Sequence, residues 1–331
     1  MDYDCTTIVN NVHAYQKKRG KILTTIKQDQ CMICTGNKLS FIHKLRDEDK
    51  RNVYRCMTCE HIQVLPLPTA AEDEEYYQSD KMYKNIFLDN SAMQKEENLM
   101  IRFRAYVKDE VEKLKNYISK DDHILDIGTG YGWLVEFLRN DGYLADGVEI
   151  SNEKRELCKL RCGIDIFGWN FMVDVPEVRD KYGYYDVICL QQTLEHISSP
   201  INFLQRAMKL LKPGGRIFVS VPNQNDNLKI IEPEYINYHY CRSHLSYFTP
   251  QTLTFALNLC GFKNIKIYGH QVYSIENHIY WVRNKRPYLN SHLIDLPNGI
   301  EWINRIYKKK LEDELSSNVI IGIGYKDNLF L

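Results

Sequence analysis

The sequence predicts an α/β protein, a sheet with helices on both faces, preceded by a small N-terminal module pinned by cysteines. Three observations predict it. The apolar run 124–127 breaks at Gly128, Gly130 and Gly132, and a helical apolar pattern begins at Trp133. A second apolar run, 144–150, carries Glu149 at a point 21 residues past the first of those glycines. Cys31, Cys34, Cys56 and Cys59 form two C-x-x-C pairs separated by 21 residues.

In chain order the cysteine module comes first, within a segment read as 1–66. Strands are expected at 39–44 and 52–55, between the two pairs. Each pair can hold one edge of a tetrahedron from a tight turn, so the four thiolates read as a zinc ribbon. Four thiolates leave the metal no open position, which makes the zinc structural. His43 and His61 are the alternative ligands, and both are expected at the surface; a disulfide pair is the other reading.

A linker and helical lead-in, 67–118, follow. Pro66 and Pro68 mark the boundary, and the acidic run 72–75 reads as a helix start with a solvated face. From 96 to 118, Leu99, Phe103, Tyr106, Val107, Val111, Leu114 and Tyr117 recur at spacings of three and four, predicting an amphipathic helix.

The remainder, 119–331, reads as one domain with an insert at about 270–317. Glycine lets the backbone turn sharply beside a ligand, and an acid ending the second strand suits ribose hydroxyls. The ligand is the harder question. Trp133 stands where a dinucleotide fingerprint needs its third glycine, and no Lys-Ser/Thr follows to cradle phosphate. Asp126 is out of place beside a pyrophosphate and well suited to a cation. Together, Asp126-x-Gly128-x-Gly130-x-Gly132, Glu149 and Leu211-Lys212-Pro213-Gly214-Gly215 resemble a class I S-adenosylmethionine-dependent methyltransferase over roughly residues 95–270. The resemblance implies a Rossmann-like sheet, S-adenosylmethionine as cofactor, and the lead-in helix packed beside its site.

Beyond Glu149 and Ile150, Ser151 reads as the cap of a helix to about Cys162, and a short strand is expected at 164–167. The irregular stretch 168–171, with Trp169 and Asn170, should lie at the adenine edge; Trp169 reads equally as a stacking platform or a core residue. The fourth strand, 185–191, brings Gln191, Glu195 and His196 to its carboxyl end, where ligands of doubly wound sheets bind. Leu194-Glu195-His196-Ile197 resembles a loop that small-molecule methyltransferases place between cofactor and acceptor. A helix 201–211 is expected to end in a glycine cap at 212–215, ahead of a strand 216–221. His244-Leu-x-x-Phe-Thr-Pro resembles an element of bacterial methyltransferases with glycan-linked or other small acceptors.

Methyl transfer to a hydroxyl needs alignment and a base of roughly neutral pKa. His244 is the first choice, His196 and His239 are the others, and Glu195 is a charge to orient one of them. Strands 263–268 and 319–325 flank the insert, in which Arg283, Lys285 and Arg286 form a basic patch suited to phosphate or to solvent.

Composition excludes several classes. Lys plus Arg and Asp plus Glu both count 43, so no global field draws the chain to nucleic acid or an anionic membrane. No window approaches a membrane span, and the polar, acidic start places the chain in the cytosol. Cys5, Cys158, Cys162, Cys189, Cys241 and Cys260 read as buried or inert thiols. The expected partner is a small hydroxylated acceptor, by resemblance a sugar or sugar-nucleotide for surface polysaccharide biosynthesis. The alternatives are an RNA base methyltransferase and a non-catalytic zinc-stabilised interaction protein. Neutral charge weighs against the first, and the intact glycines, Asp126 and Glu149 against the second.

Overall fold

Hydrophobic side chains alternating along four neighbouring strands decide the architecture. The computed structural model describes residues 29–47, 50–69, 71–73, 76, 92–171, 175–286 and 301–328. Strands β1 (Leu39–Lys44), β2 (Asn52–Cys56) and β3 (Ile62–Leu65) belong to the cysteine module. After α1 (Ala92–Leu114) come β4 (His123–Ile127), α2 (Trp133–Asn140), β5 (Leu144–Val148), α3 (Asn152–Cys162) and the short α4 (Pro176–Arg179). Then follow β6 (Tyr185–Gln191), α5 (Pro200–Leu210), β7 (Leu211–Pro222), α6 (Asn227–Ile231), α7 (Tyr235–His239) and the two-residue β8 (Ser246–Tyr247). The last elements are α8 (Pro250–Leu259), β9 (Lys263–His270), α9 (Ile275–Asn284), α10 (Glu301–Asp313) and β10 (Val319–Tyr325).

The main sheet runs β5-β4-β6-β7-β10-β9. Its first four strands are parallel, and β10 is antiparallel to both β7 and β9. Successive residues of a strand point to opposite faces. Accordingly Ile124, Val187, Cys189 and Phe218 pack with Val111 and Leu114 of α1, Leu134 and Leu138 of α2 and Cys158 of α3. Leu125, Ile188, Leu190, Ile217 and Val219 pack on the other side with Phe203, Leu204 and Ala207 of α5 and Leu253 and Ala256 of α8. This is the Rossmann-like sheet with helices on both faces that the sequence predicts.

Several local expectations change. Between 164 and 167 there is a single bridge, Phe167 to Val148, rather than a strand. The chain leaves the sheet edge there so that Trp169 stacks on Phe167, ring centroids 4.2 Å apart. Helix α5 stops at Leu210, and the Lys-Pro-Gly-Gly segment lies within β7 rather than capping the helix. Lys326 Nζ instead donates to the Met208 and Leu211 carbonyls at 3.1 and 2.6 Å. The acidic run is not simply solvated. Thr69 and Glu72 form a reciprocal cap, Glu72 pairs with Arg51 at 2.9 Å, and Asp73 pairs with Arg242 at 2.9 Å.

The cysteine module takes its fourth strand from the far side of the chain. Its sheet order is β1-β2-β3-β8, with Ile62 opposite Tyr247 and Gln63 opposite Ser246. His61, expected at the surface, is fully buried by this docking. Its Nε2 lies 3.3 Å from Ser246 Oγ and its ring 5.1 Å from Phe248. His43 stays partly exposed, bonded to Asn237. Phe248 shares one core with Cys31, Cys34 and Cys56 on one side and Leu253 on the other.

Because that ring is completely buried between the two parts, Phe248→Ala should cost about 3–5 kcal/mol. Thermal unfolding followed by calorimetry should show one cooperative transition in the native chain and in the variant. Two separate transitions in the native chain would mean that the cores are independent.

Candidate active site

Sterics at the end of β4 build the first part of the site. Gly128, Gly130 and Gly132 all have left-handed backbone, φ +81°, +55° and +75°. Space is also tight. A Cβ on Gly128 would lie 2.6 Å from Thr193 Oγ1, and one on Gly132 would lie 2.4 Å from Cys158 Sγ. Gly132 begins α2, and Glu149, just past β5, reaches back across the turn. Its Oε2 accepts from Gly130 N at 2.9 Å and its Oε1 from Ser151 N at 2.8 Å.

Beside the turn stand two further buried acids. Asp126 is 1% exposed with Oδ1 lacking a hydrogen bond, and burial pushes its carboxyl up to about 7. Glu110 comes from α1, accepts from Gln191 Nε2 at 2.7 Å and from the hydroxyls of Tyr106 and Ser220, and is likewise pushed up by burial to about 7. Glu110 and Glu149 add repulsion at Asp126. The sequence reading missed Glu110. The available signal was an acid on the apolar face of the lead-in helix, between Val107 and Val111.

At the opposite rim, Ile150 is an exposed apolar side chain, Asn170 is exposed, and Trp169 is half-buried on Phe167.

The carboxyl end of β6 builds the third part. Gln192 adopts φ +48°, and the 3-10 turn Leu194–His196 follows. Glu195 is 1% exposed, neither of its oxygens makes a hydrogen bond, and burial pushes it up to about 8. His196 Nδ1 donates to the Ser243 carbonyl at 2.5 Å. The His244 ring stands edge-on to His196 at 5.1 Å, with Nδ1 lacking a hydrogen bond. Ligating atoms of Glu195, His196 and His244 all lie within 4.8 Å of one another. His239 is not in this group; its Nε2 accepts from Lys229 Nζ at 3.1 Å. The expected base of neutral pKa is not what burial produces. Desolvation lowers His196 to about 4 and holds His244 and His239 well below the usual range, so these imidazoles are neutral lone-pair donors.

The four module cysteines gather with sulfurs within 4.8 Å of one another, Cys31 to Cys59 at 3.6 Å and Cys34 to Cys56 at 3.5 Å. Four thiolates about 2.3 Å from a zinc ion form a tetrahedron with edges near 3.8 Å, so this donor set fits the metal. Gly36 N and Thr58 N donate to Cys34 and Cys56 sulfurs at 3.3 and 3.4 Å. In the insert, Arg283, Lys285 and Arg286 are all exposed, and Lys285 also pairs with buried Glu232.

Residues 100–267, just over half of the chain, match the family model described as a methyltransferase domain. The chain belongs to this methyltransferase family. The matched stretch carries the glycine turn, the acids and the Glu195–His196 turn, and excludes the cysteine module. A ubiquinone biosynthesis O-methyltransferase of Pectobacterium carotovorum is 30% identical over 34% of this chain and 49% of its own length. One from Coxiella burnetii is 31% identical over 32% of this chain and 46% of its own. The chain thus spans about half the length of the curated relatives it matches. A solved S-adenosylmethionine-dependent methyltransferase of Archaeoglobus fulgidus is similar at 19% identity and TM-score 0.48, covering 67% of this chain and 94% of that one. A 1,6-didemethyltoxoflavin-N1-methyltransferase of Burkholderia thailandensis is similar at 12% identity and TM-score 0.48, covering 82% of this chain and 98% of that one.

Left-handed backbone at alanine costs about 1–2 kcal/mol, and the Cys158 contact adds to it. Gly132→Ala should therefore lower unfolding stability in denaturant by at least that amount, with Cys158→Ala recovering part of the loss in the double variant. Strict additivity would refute the contact.

Proposed function

We propose that the chain transfers a methyl group from S-adenosylmethionine to a small hydroxylated acceptor. The observation that carries this reading is the acidic pocket: Asp126 and Glu110, buried and pushed toward neutrality, beside the three-glycine turn and Glu149. Buried acids at such cost are suited to a cation. S-adenosylmethionine supplies an electrophilic methyl group on a sulfonium, together with a cationic amino group. Asp126 and Glu110 balance those charges, and Gln191 orients Glu110 through its 2.7 Å hydrogen bond. Gly128, Gly130 and Gly132 admit the ligand's backbone approach, while Glu149 is placed to accept ribose hydroxyls. Ile150, Trp169 and Asn170 line the adenine end. Cys31, Cys34, Cys56 and Cys59 hold a structural zinc.

The acceptor end lies around Glu195, His196 and His244, where the acceptor hydroxyl is held and gives up its proton. His239 packs nearby with Tyr235, Tyr240 and Tyr247 at ring distances of 5.9, 5.2 and 5.2 Å, Tyr240 and Tyr247 being buried in the module's core. A sugar or sugar-nucleotide is the acceptor class that the module arrangement resembles. A phenolic acceptor is the second reading, favoured by the relatives named for ubiquinone biosynthesis. Among the described residues no helix is long and apolar enough to cross a membrane.

Two experiments test this. A cation favours the ionised acids, so affinity for S-adenosylmethionine should rise as pH climbs from about 5 toward about 7 and level off above that. Asp126→Asn should weaken binding and flatten the profile, with Glu110 supplying the remaining slope; calorimetry showing a pH-independent native affinity would remove the acids from the pocket. Purified protein given methyl-labelled cofactor should place label in sugar-nucleotide or glycan fractions of an extract. Label in phenolic quinone precursors would promote the second reading, and label in RNA would overturn both.

A further inference from the structure

We infer that Glu195, His196 and His244 bind a divalent transition-metal ion, separate from the four-cysteine site. This deepens the proposed acceptor site and rests on that reading for its role, though not for the binding itself. Three observations carry it. One carboxylate and two imidazoles present ligand atoms within 4.8 Å of one another. Glu195 is 1% exposed with neither oxygen hydrogen-bonded, and His244 Nδ1 also lacks a hydrogen bond. Buried polar atoms are normally satisfied, so three partnerless polar atoms in one cluster, two of them carboxylate oxygens, point to a cation.

The third observation is orientation. His196 Nδ1 donates to the Ser243 carbonyl at 2.5 Å, and its Nε2 stands 3.8 Å from Glu195 Oε1. A carbonyl holding the other ring nitrogen is the usual support for a metal-ligating histidine. Backbone holds the group together as well, since Leu245 N, next to His244, donates to the Glu195 carbonyl at 2.8 Å. Neighbouring ligands of an occupied site stand about 3–3.5 Å apart, so binding draws the three side chains slightly inward. Two imidazoles favour a transition ion over magnesium or calcium.

Three protein ligands leave coordination positions open, as catalytic sites do and the four-thiolate site does not. An acceptor hydroxyl placed against the ion loses its proton to solvent water more readily, and the freed oxygen pair then forms the bond to the methyl carbon while the carbon–sulfur pair leaves with sulfur. His244 is a ligand in this arrangement rather than the proton acceptor.

The test uses the full zinc-loaded chain and Mn2+ as probe, because manganese does not displace zinc from four thiolates. Metal content and the electron paramagnetic resonance of bound Mn2+ should show one tightly held zinc and one chelator-removable Mn2+ per chain. Glu195→Gln and His244→Ala should each weaken Mn2+ binding at least about tenfold while keeping the zinc, with circular dichroism confirming the fold. No bound Mn2+ in the native chain, or undiminished binding in both variants, overturns the site. S-adenosylmethionine affinity is measured in parallel. Mn2+ binding without cofactor binding removes the methyltransferase reading and leaves the metal site; cofactor binding without Mn2+ does the reverse.

Discussion

The pairing of β3 with β8 is the contact on which the grouping of Glu195, His196 and His244 depends. From the cysteine module, Val64 N donates to the Leu245 carbonyl at 2.9 Å, and Leu245 N donates to the Glu195 carbonyl at 2.8 Å. Three segments remote in sequence are thereby laced into one backbone ladder. His244 sits at its centre, and Arg46 and Arg242 fasten the flanks through Tyr238, Asp47 and Asp73. The cysteine module thus packs directly against the segment that carries His244. Whatever orders its four thiolates also orders that segment, so an ion held there would act as a positioning device at a distance.

Electrostatically, burial acts in opposite ways on the two groups of residues. Near the glycine turn, desolvation and mutual repulsion raise Asp126 and Glu110, storing an unfavourable energy that a cationic ligand relieves. Around His196 and His244, desolvation lowers the imidazoles and keeps them neutral. One physical cause prepares a charge receptor on one side and a donor set on the other. The divide falls at Gln191 and Gln192, one bonded to Glu110 and the other, at φ +48°, turned onto Ser220.

What the sequence made legible is what local geometry writes into short windows. Glycines spaced by two, an acid ending the next strand and paired C-x-x-C turns each need particular residues within a few positions, and the sheet's two-faced strands show in near-continuous apolar runs. Features made by long-range contact were illegible. His61 looks like a surface histidine because the residues that bury it, Ser246 and Phe248, lie far along the chain. Glu110 gave only a faint sign, an acid on an apolar face whose partners come from β6 and β7. The Lys-Pro-Gly-Gly segment misled because Lys326, near the far end of the sequence, satisfies the helix carbonyls that a glycine cap normally serves. Histidine protonation was misjudged for the same reason: spacing identifies an imidazole but not its solvent.

One topological detail bears on how this sheet is assembled as the chain emerges during synthesis. Strand β10 lies between β7 and β9 although it follows both in sequence, so β9 has no partner in the sheet until residues 319–325 arrive. Until then the open edge of β7 presents Ile217, Val219 and Val221 on a row of unpaired backbone groups, the kind of edge that recruits strands from other chains. A growing polypeptide would carry a nearly finished cofactor pocket and an unsealed seam at the same time. The lateness of its final strand makes this fold a natural client for whatever shields nascent edges.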